Sequence, residues 1–324
     1  MKLVYSLQFE GPAIAKLAVE HADVDFVEAR SHDEIVAELV DADAFIVAGP
    51  YFGGAVAEAV NHKAPRLRWV QSSSIGTDKF EKGGLPEGVI FTNAAGLKGR
   101  TVAEHAMALL LAQVHAIPEM ESYKAQKIWG RDALRSAVSS VEGALMLLLG
   151  YGSVGLEIAR KAKAFDMKVI ALNRSGVGDP TADKIATLAA LDDWVDQADF
   201  LVSTLPLTPE TQHLVGATQI NRMKSSAILV NVGRGEIFDS VALATALKEG
   251  KVAAACLDVF ETEPLPESDP FWTLPNLILS PHVAGTGGPM EQRFAELVSK
   301  NLINFKAGSS MTNRVDLVRK PSGG

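Results

Sequence analysis

The run Ala144-Leu145-Met146-Leu147-Leu148-Leu149, the turn Gly150-Tyr151-Gly152-Ser153-Val154-Gly155 and the stretch Leu156 to Phe165 decide the fold. Six apolar residues bounded by a glycine read as a buried strand, and the residues after the third glycine read as a helix. The pattern is G-x-G-x-x-G between strand and helix. The first glycine allows the tight turn, the second lets a pyrophosphate approach the backbone, and the third lets helix and strand pack closely. The helix N-terminus supplies N–H donors and partial positive charge for phosphates. A dinucleotide is therefore expected here.

The end of the next strand selects the dinucleotide. An acid there would hydrogen-bond the ribose hydroxyls of NAD. This chain reads Val169-Ile170-Ala171-Leu172-Asn173-Arg174-Ser175, with no carboxylate until Asp179. Arginine pairs well with a phosphate. Asn173, Arg174 and Ser175 thus favour NADP(H), with NAD(H) possible.

Further out, short apolar runs alternate with helical patterns, the form of a βαβ protein with parallel sheets. Strands are expected at 3–6, 24–27, 44–48, 69–72 and 90–92, and again at 144–149, 168–172, 200–204, 227–230, 252–259 and 277–279. Thr101–Val114 reads as a helix whose start resembles a capping box, Thr101 with Glu104. Pro118–Val141 reads as an extension that packs on a second subunit. A Gly-rich joint, Ala284 to Gly288, precedes a last helix at about 289–305. A dinucleotide-binding domain is expected at 99–285, and a substrate domain from 1–98 plus 286–324.

The 324 residues suit about two domains. The formal charge of −8 argues against non-specific binding to nucleic acid or anionic membrane. The single cysteine, Cys256, sits in an apolar run, reads as a buried hydrophobe and fits a reducing cytoplasm. Neither a signal core nor a membrane-length apolar stretch is visible.

Three segments stand at the ends of late strands: Asn231-Val232-Gly233-Arg234-Gly235, Asp258-Val259-Phe260-Glu261-Thr262-Glu263-Pro264, and Ser280-Pro281-His282-Val283-Ala284-Gly285. Ligands in such folds bind beyond the carboxyl ends of the strands. A cation, an acid and a histidine there suit reduction of a keto acid. Arginine holds a carboxylate and polarises a carbonyl, histidine gives the alcohol its proton, and a carboxylate orients the histidine. The cofactor carries the hydride. No metal site is expected.

With these segments, Ser203-Thr204-Leu205-Pro206-Leu207-Thr208-Pro209-Glu210-Thr211 and Asn93 to His105, the chain resembles the D-isomer-specific 2-hydroxyacid dehydrogenase family over nearly its whole length, on the glyoxylate/hydroxypyruvate reductase side. The resemblance implies an α/β fold of two doubly wound parallel sheets, a Rossmann dinucleotide domain and a smaller flavodoxin-like substrate domain. It implies His282 as acid/base, Glu263 as its partner and Arg234 as substrate anchor, with backbone at Ser74, Ile75 and Gly76 holding the substrate carboxylate. The cofactor is expected against Gly150, Gly152, Ser153, Val154, Gly155, Asn173, Arg174, Ser175, Thr204, Leu205, Pro206, Thr211, Val232, Gly233, Asp258, His282 and Gly285, with Asp258 on the carboxamide side. The resemblance also implies a homodimer through 100–140 and domain closure over substrate. Trp129 reads either as reaching the partner's site or as a plain interface residue.

Tyr51, Phe52 and Leu97 are candidates for the wall around the substrate side chain. Small acids such as glyoxylate and hydroxypyruvate come first, and a bulkier keto acid such as phenylpyruvate second. A nucleotide-sensing corepressor-like protein is the alternative from another class, and turnover of a keto acid separates the two.

Overall fold

A computed structural model of the chain describes residues 1–7 and 10–317. The chain divides into two compact units, Met1–Lys98 with the segment from Gly287 onward, and Gly99–Thr286. The second unit ends one residue past the boundary read from the sequence.

The first unit holds five parallel strands, β1 (Lys2–Ser6), β2 (Asp25–Glu28), β3 (Ala44–Val47), β4 (Trp69–Ser72) and β5 (Ile90–Thr92), in the order β2-β1-β3-β4-β5. That order is doubly wound, with the reversal beside β1. Alternating residues of its strands feed two apolar clusters, one on each face of the sheet. The helix Met290–Lys306 returns to this sheet and buries Phe294, Val298 and Leu302 beside Leu3 and Trp69. A buried amide chain fixes that return. Asn301 donates to Gln71 Oε1 (3.0 Å) and to the Thr312 carbonyl (3.0 Å), and accepts from Thr312 N.

The second unit holds seven parallel strands: β6 (Leu145–Leu149), β7 (Lys168–Asn173), β8 (Lys184–Thr187), β9 (Phe200–Ser203), β10 (Ile228–Asn231), β11 (Ala254–Leu257) and β12 (Leu277–Leu279). Their order is β12-β11-β10-β9-β6-β7-β8, so the winding reverses between β6 and β9. β6 shows why the middle strands are apolar throughout. Leu147 and Leu149 enter one cluster with Leu201, Leu229 and Leu257, while Met146 and Leu148 enter the other with Val202, Val230 and Cys256. Cys256 is fully buried, and burial pushes its thiol up to about 12.

The helix Gly99–Val114 covers the second face, setting Ala103, Ala106, Met107 and Leu110 against Ile158, Ala159 and Ala162 of the helix Ser153–Ala164. It begins two residues before the expected cap, so Thr101 lies within its first turn. The expected extension at 118–141 is formed largely by two short helices, Ile117–Ala125 and Arg131–Leu134, neither with a buried residue. Among the described residues, no helix is long and apolar enough to cross a membrane.

Candidate active site

The strand register of the second unit places the candidate residues in one row. Leu172 pairs with Leu149, Leu149 with Ser203, Ser203 with Asn231, Asn231 with Leu257, and Leu257 with Leu279. The next residue on each strand is Asn173, Gly150, Thr204, Val232, Asp258 and Ser280. Six neighbouring strands therefore release their loops at one level of the sheet, where ligands of such folds bind.

The glycine turn occupies the reversal between β6 and β9. Gly150 has φ +96°, and a Cβ there would lie 2.6 Å from Thr204 Oγ1. Thr204 Oγ1 donates to the Gly150 carbonyl (3.0 Å). A Cβ on Gly155 would sit 2.2 Å from the Gly150 carbonyl oxygen, so only glycine lets helix and turn approach this closely. Gly152 differs: nothing lies within 4 Å of where its Cβ would be. The helix Ser153–Ala164 that follows has no side-chain cap. Open space before an uncapped N-terminus suits a pyrophosphate, so these residues fit a dinucleotide. The neighbouring loops interlock, since a Cβ on Gly233 would meet Leu205 O at 2.7 Å. Thr211 is buried and braces its loop, with Oγ1 accepting from Thr208 N and donating to the Pro206 carbonyl.

Beyond β7, the Asn173 side chain closes its own turn. Its Oδ1 accepts from Ser175 N (3.1 Å) and Gly176 N (2.7 Å), and its Nδ2 donates to the Val177 carbonyl (2.8 Å). Ser175 Oγ bonds within the same turn. Arg174 is exposed, and no hydrogen bond or ion pair of the described residues engages its guanidinium. The Asp179 carboxylate turns onto Thr181, whose hydroxyl and N–H hold its carboxyl below the usual range.

Glu263 and His282 meet at the other end of the row. His282 Nδ1 lies 2.7 Å from Glu263 Oε2, and Glu263 Oε1 accepts from Phe260 N (3.0 Å). The carboxylate is held at both oxygens, so the imidazole it contacts has one orientation. Nε2 is then the nitrogen left to exchange a proton, and the ring is 52% exposed. His282 has φ +56°, a conformation that costs a non-glycine residue about 1 kcal/mol or more.

Asp258, 1% exposed, offsets that cost. Its Oδ1 accepts from Ser280 Oγ (2.5 Å) and Val283 N (3.0 Å), its Oδ2 accepts from Ala284 N (2.9 Å), and its carbonyl accepts from His282 N (2.8 Å). His105 Nε2 lies 2.8 Å from Ser280 Oγ. The Ser280 hydroxyl spends its one proton on Asp258, so it must accept from His105, which fixes the proton on Nε2. Arg234 lies beyond β10, where Asn231 Nδ2 donates to its carbonyl (2.8 Å). One guanidinium N–H reaches the Gly233 carbonyl (2.8 Å), and no carboxylate of the described residues pairs with the group.

In the first unit, the loop after β4 carries Ser74, Ile75 and Gly76. Ser74 N donates to Ser72 Oγ (3.1 Å), and Asn93 Nδ2 donates to the Ile75 carbonyl (2.9 Å). Asn313 in turn donates to the Asn93 and Ala95 carbonyls. Among the described residues nothing accepts from the N–H groups of Ile75 or Gly76. Phe52 is 1% exposed and stacked on Phe80 in the core at 4.3 Å, and with Tyr51 it borders a cavity of this unit. Tyr51 and Leu97 are partly buried against core clusters of this unit.

A sequence model of the D-isomer-specific 2-hydroxyacid dehydrogenase NAD-binding domain matches residues 107–284. A glyoxylate reductase from Korarchaeum cryptofilum is 34% identical over 303 residues, covering 92% of this chain and 90% of that protein. The chain belongs to the D-isomer-specific 2-hydroxyacid dehydrogenase family. A solved family member from Aeromonas salmonicida superposes with a TM-score of 0.86 at 31% identity, over 98% of this chain and 99% of that one. An NADPH-dependent glyoxylate/hydroxypyruvate reductase from Sinorhizobium meliloti, in complex with citrate, gives 0.76 at 26% identity over 98% and 99% of the two chains.

Within this member of the family, the structure sorts the expected residues by what they touch. Gly152, Ser153, Arg174, Arg234 and His282 keep surface or polar capacity in reserve, whereas Asn173, Thr211 and Asp258 spend theirs on the loops that carry the others. Nothing in the local sequence assigns a part to Tyr151, Asn313 or Ser280, and His105 and Asn93 stand out only as members of a longer motif. Ser280 stands two residues before His282, and His105 directly follows Glu104, so position was the one available signal. Among the described residues, no cluster of His, Cys, Asp and Glu could hold a metal.

Proposed function

We propose that the chain reduces a small 2-keto acid to the D-2-hydroxy acid, with NADPH preferred over NADH. The observation that carries this reading is the His282–Glu263 pair at 2.7 Å, set on the same row of strand ends as the glycine turn and Arg234. A bound nicotinamide supplies the hydride. Arg234, without an acidic partner, holds the substrate carboxylate and polarises the keto oxygen. His282 delivers the proton to that oxygen from Nε2, while Glu263 holds the ring and balances its charge. The N–H groups of Ile75 and Gly76, with Ser74, are assigned to the substrate carboxylate. Gly150, Gly152, Ser153, Val154 and Gly155 would hold the pyrophosphate, and Thr204 to Pro206, Val232, Gly233 and Gly285 would border the rest of the cofactor.

The NADPH preference rests on Arg174, whose free guanidinium suits a 2′-phosphate, and on Asp179, whose carboxylate is committed to Thr181. Glyoxylate and hydroxypyruvate are the first substrates to test, in keeping with the named activities of the relatives. A homodimer is supported by the exposed apolar side chains Met120, Ile128 and Trp129, the last 91% exposed. The lone buried thiol suits a reducing compartment such as the cytoplasm. Initial rates of NADPH and NADH oxidation with glyoxylate, hydroxypyruvate and phenylpyruvate test the reading. Fast NADPH oxidation with one of them is expected. Tight NADPH binding without turnover of any keto acid would replace the reductase with a nucleotide sensor.

A further inference from the structure

The loop between β7 and β8 carries Arg174 and has no regular structure from Arg174 to Asp183. Its first part is closed by Asn173, and its second part is gripped by a residue of the glycine turn. Tyr151, between Gly150 and Gly152, sends its hydroxyl into the loop. Oη donates to the Asp179 carbonyl (2.9 Å) and accepts from Ala182 N (3.0 Å). The ring lies against the loop backbone so closely that a Cβ on Gly178 would be 2.8 Å from Tyr151 Cδ1. Asp179 then closes the corner by accepting from Thr181 N (2.9 Å) and Oγ1 (2.5 Å). One phenol therefore satisfies a carbonyl and an N–H of a loop that supplies neither with a partner of its own. Burial pushes its proton affinity up, so it stays a donor through the neutral range.

We propose that Tyr151 is a positioning residue for cofactor selectivity, clamping the Arg174 loop to the pyrophosphate turn so that the guanidinium is held ready for a 2′-phosphate. This rests on the reading of Arg174 as the 2′-phosphate contact. Tyr151 makes no contact with the phosphate itself. It acts by reducing the freedom that the loop would lose when NADPH binds. NADH asks nothing of Arg174, so its affinity depends on the turn but not on the clamp.

The test measures NADPH and NADH dissociation constants by fluorescence titration of the full chain, for the parent, Tyr151→Phe, Arg174→Ala and the double variant. Tyr151→Phe keeps the ring against Gly178 and loses both hydrogen bonds. It should weaken NADPH about fivefold and leave NADH within about twofold, the size expected for one or two lost hydrogen bonds in a solvent-accessible loop. In the double variant the Tyr151→Phe change should add no further NADPH loss to that of Arg174→Ala, because the clamp then has nothing to position. Equal weakening of both cofactors by Tyr151→Phe, no weakening at all, or full additivity in the double variant overturns the proposal while Arg174→Ala still abolishes the preference. An Arg174→Ala variant with an unchanged NADPH-to-NADH ratio overturns the cofactor reading, and the proposal falls with it.

Discussion

Replacing Asp258 by asparagine changes one atom type in a side chain that is 1% exposed. The parent carboxylate accepts from Ser280 Oγ and Val283 N at one oxygen and from Ala284 N at the other. An amide has a single acceptor oxygen. If that oxygen stays toward Ser280 and Val283, the amide nitrogen faces the Ala284 N–H. If it turns, the nitrogen faces the Val283 N–H. Either way a buried backbone donor opposes another donor and one charge-assisted bond is lost, at a cost of about 2–4 kcal/mol. For a folding unit of this size that lowers the thermal midpoint by on the order of 10 °C. The cost falls on the turn that holds His282 at φ +56°, so the imidazole should leave its place against Glu263. A displacement of about 1 Å there costs about 10²-fold in turnover. Circular dichroism melts and initial NADPH oxidation rates, run on the same preparations, measure both effects. A variant that melts within about 2 °C of the parent and retains its kcat would refute the argument that the Asp258 carboxylate holds the turn.

His282→Ala should lower kcat by about 10²–10⁴-fold while the NADPH dissociation constant stays near that of the parent, and turnover close to parental would remove His282 from the mechanism. Gly155→Ala must move the Gly150 carbonyl, 2.2 Å from the new Cβ, by about 1 Å, and should weaken both NADPH and NADH more than about tenfold in a fluorescence titration; unchanged binding would show that the turn tolerates the shift. Cys256, raised to about 12 by burial, keeps its proton in the folded chain at pH values where the unfolded thiol releases it. Its contribution to stability is therefore complete below about pH 9 and declines as the pH climbs toward 12. The urea midpoint of Cys256→Ala should fall less steeply than the parent's above about pH 9, and parallel alkaline limbs would dismiss the effect. A thiol reagent at neutral pH should label the parent only after unfolding, and rapid labelling of the native chain would contradict the burial.

Much of the second unit was legible locally. A run such as Leu145–Leu149 has no amphipathic alternative, and the glycine spacing after it answers to close approaches at Gly150 and Gly155. The strand β8 escaped because Lys184-Ile185-Ala186-Thr187 offers two partly buried apolar residues at a sheet edge, with polar residues on either side. The capping box at Thr101 was misplaced because Gly99 sits against Ser153 and lets the helix start earlier. Arg234, Glu263 and His282 could be named from their positions after strands, but the supports could not. His105 reaches Ser280 across 175 residues and Asn301 reaches Gln71 across 230, and no periodicity carries such distances. The hydrogen bonds that Asn173 and Asp258 make to their own loops were not legible either, since a polar residue at a strand end reads the same whether it faces a ligand, its own backbone or both.

The return of the Met290–Lys306 helix to the first sheet has a consequence for the order of events at the ribosome. Residues 99–286 form one uninterrupted unit and can fold as soon as they emerge. The first 98 residues cannot complete theirs, because Phe294, Val298 and Leu302 fill the space beside Trp69 and Asn301 is the partner of Gln71. The leading segment of the nascent chain must wait, with part of its apolar surface uncovered, until the stretch beyond residue 300 arrives. The fold is therefore expected to mature from the middle outward, with the first sheet completed last.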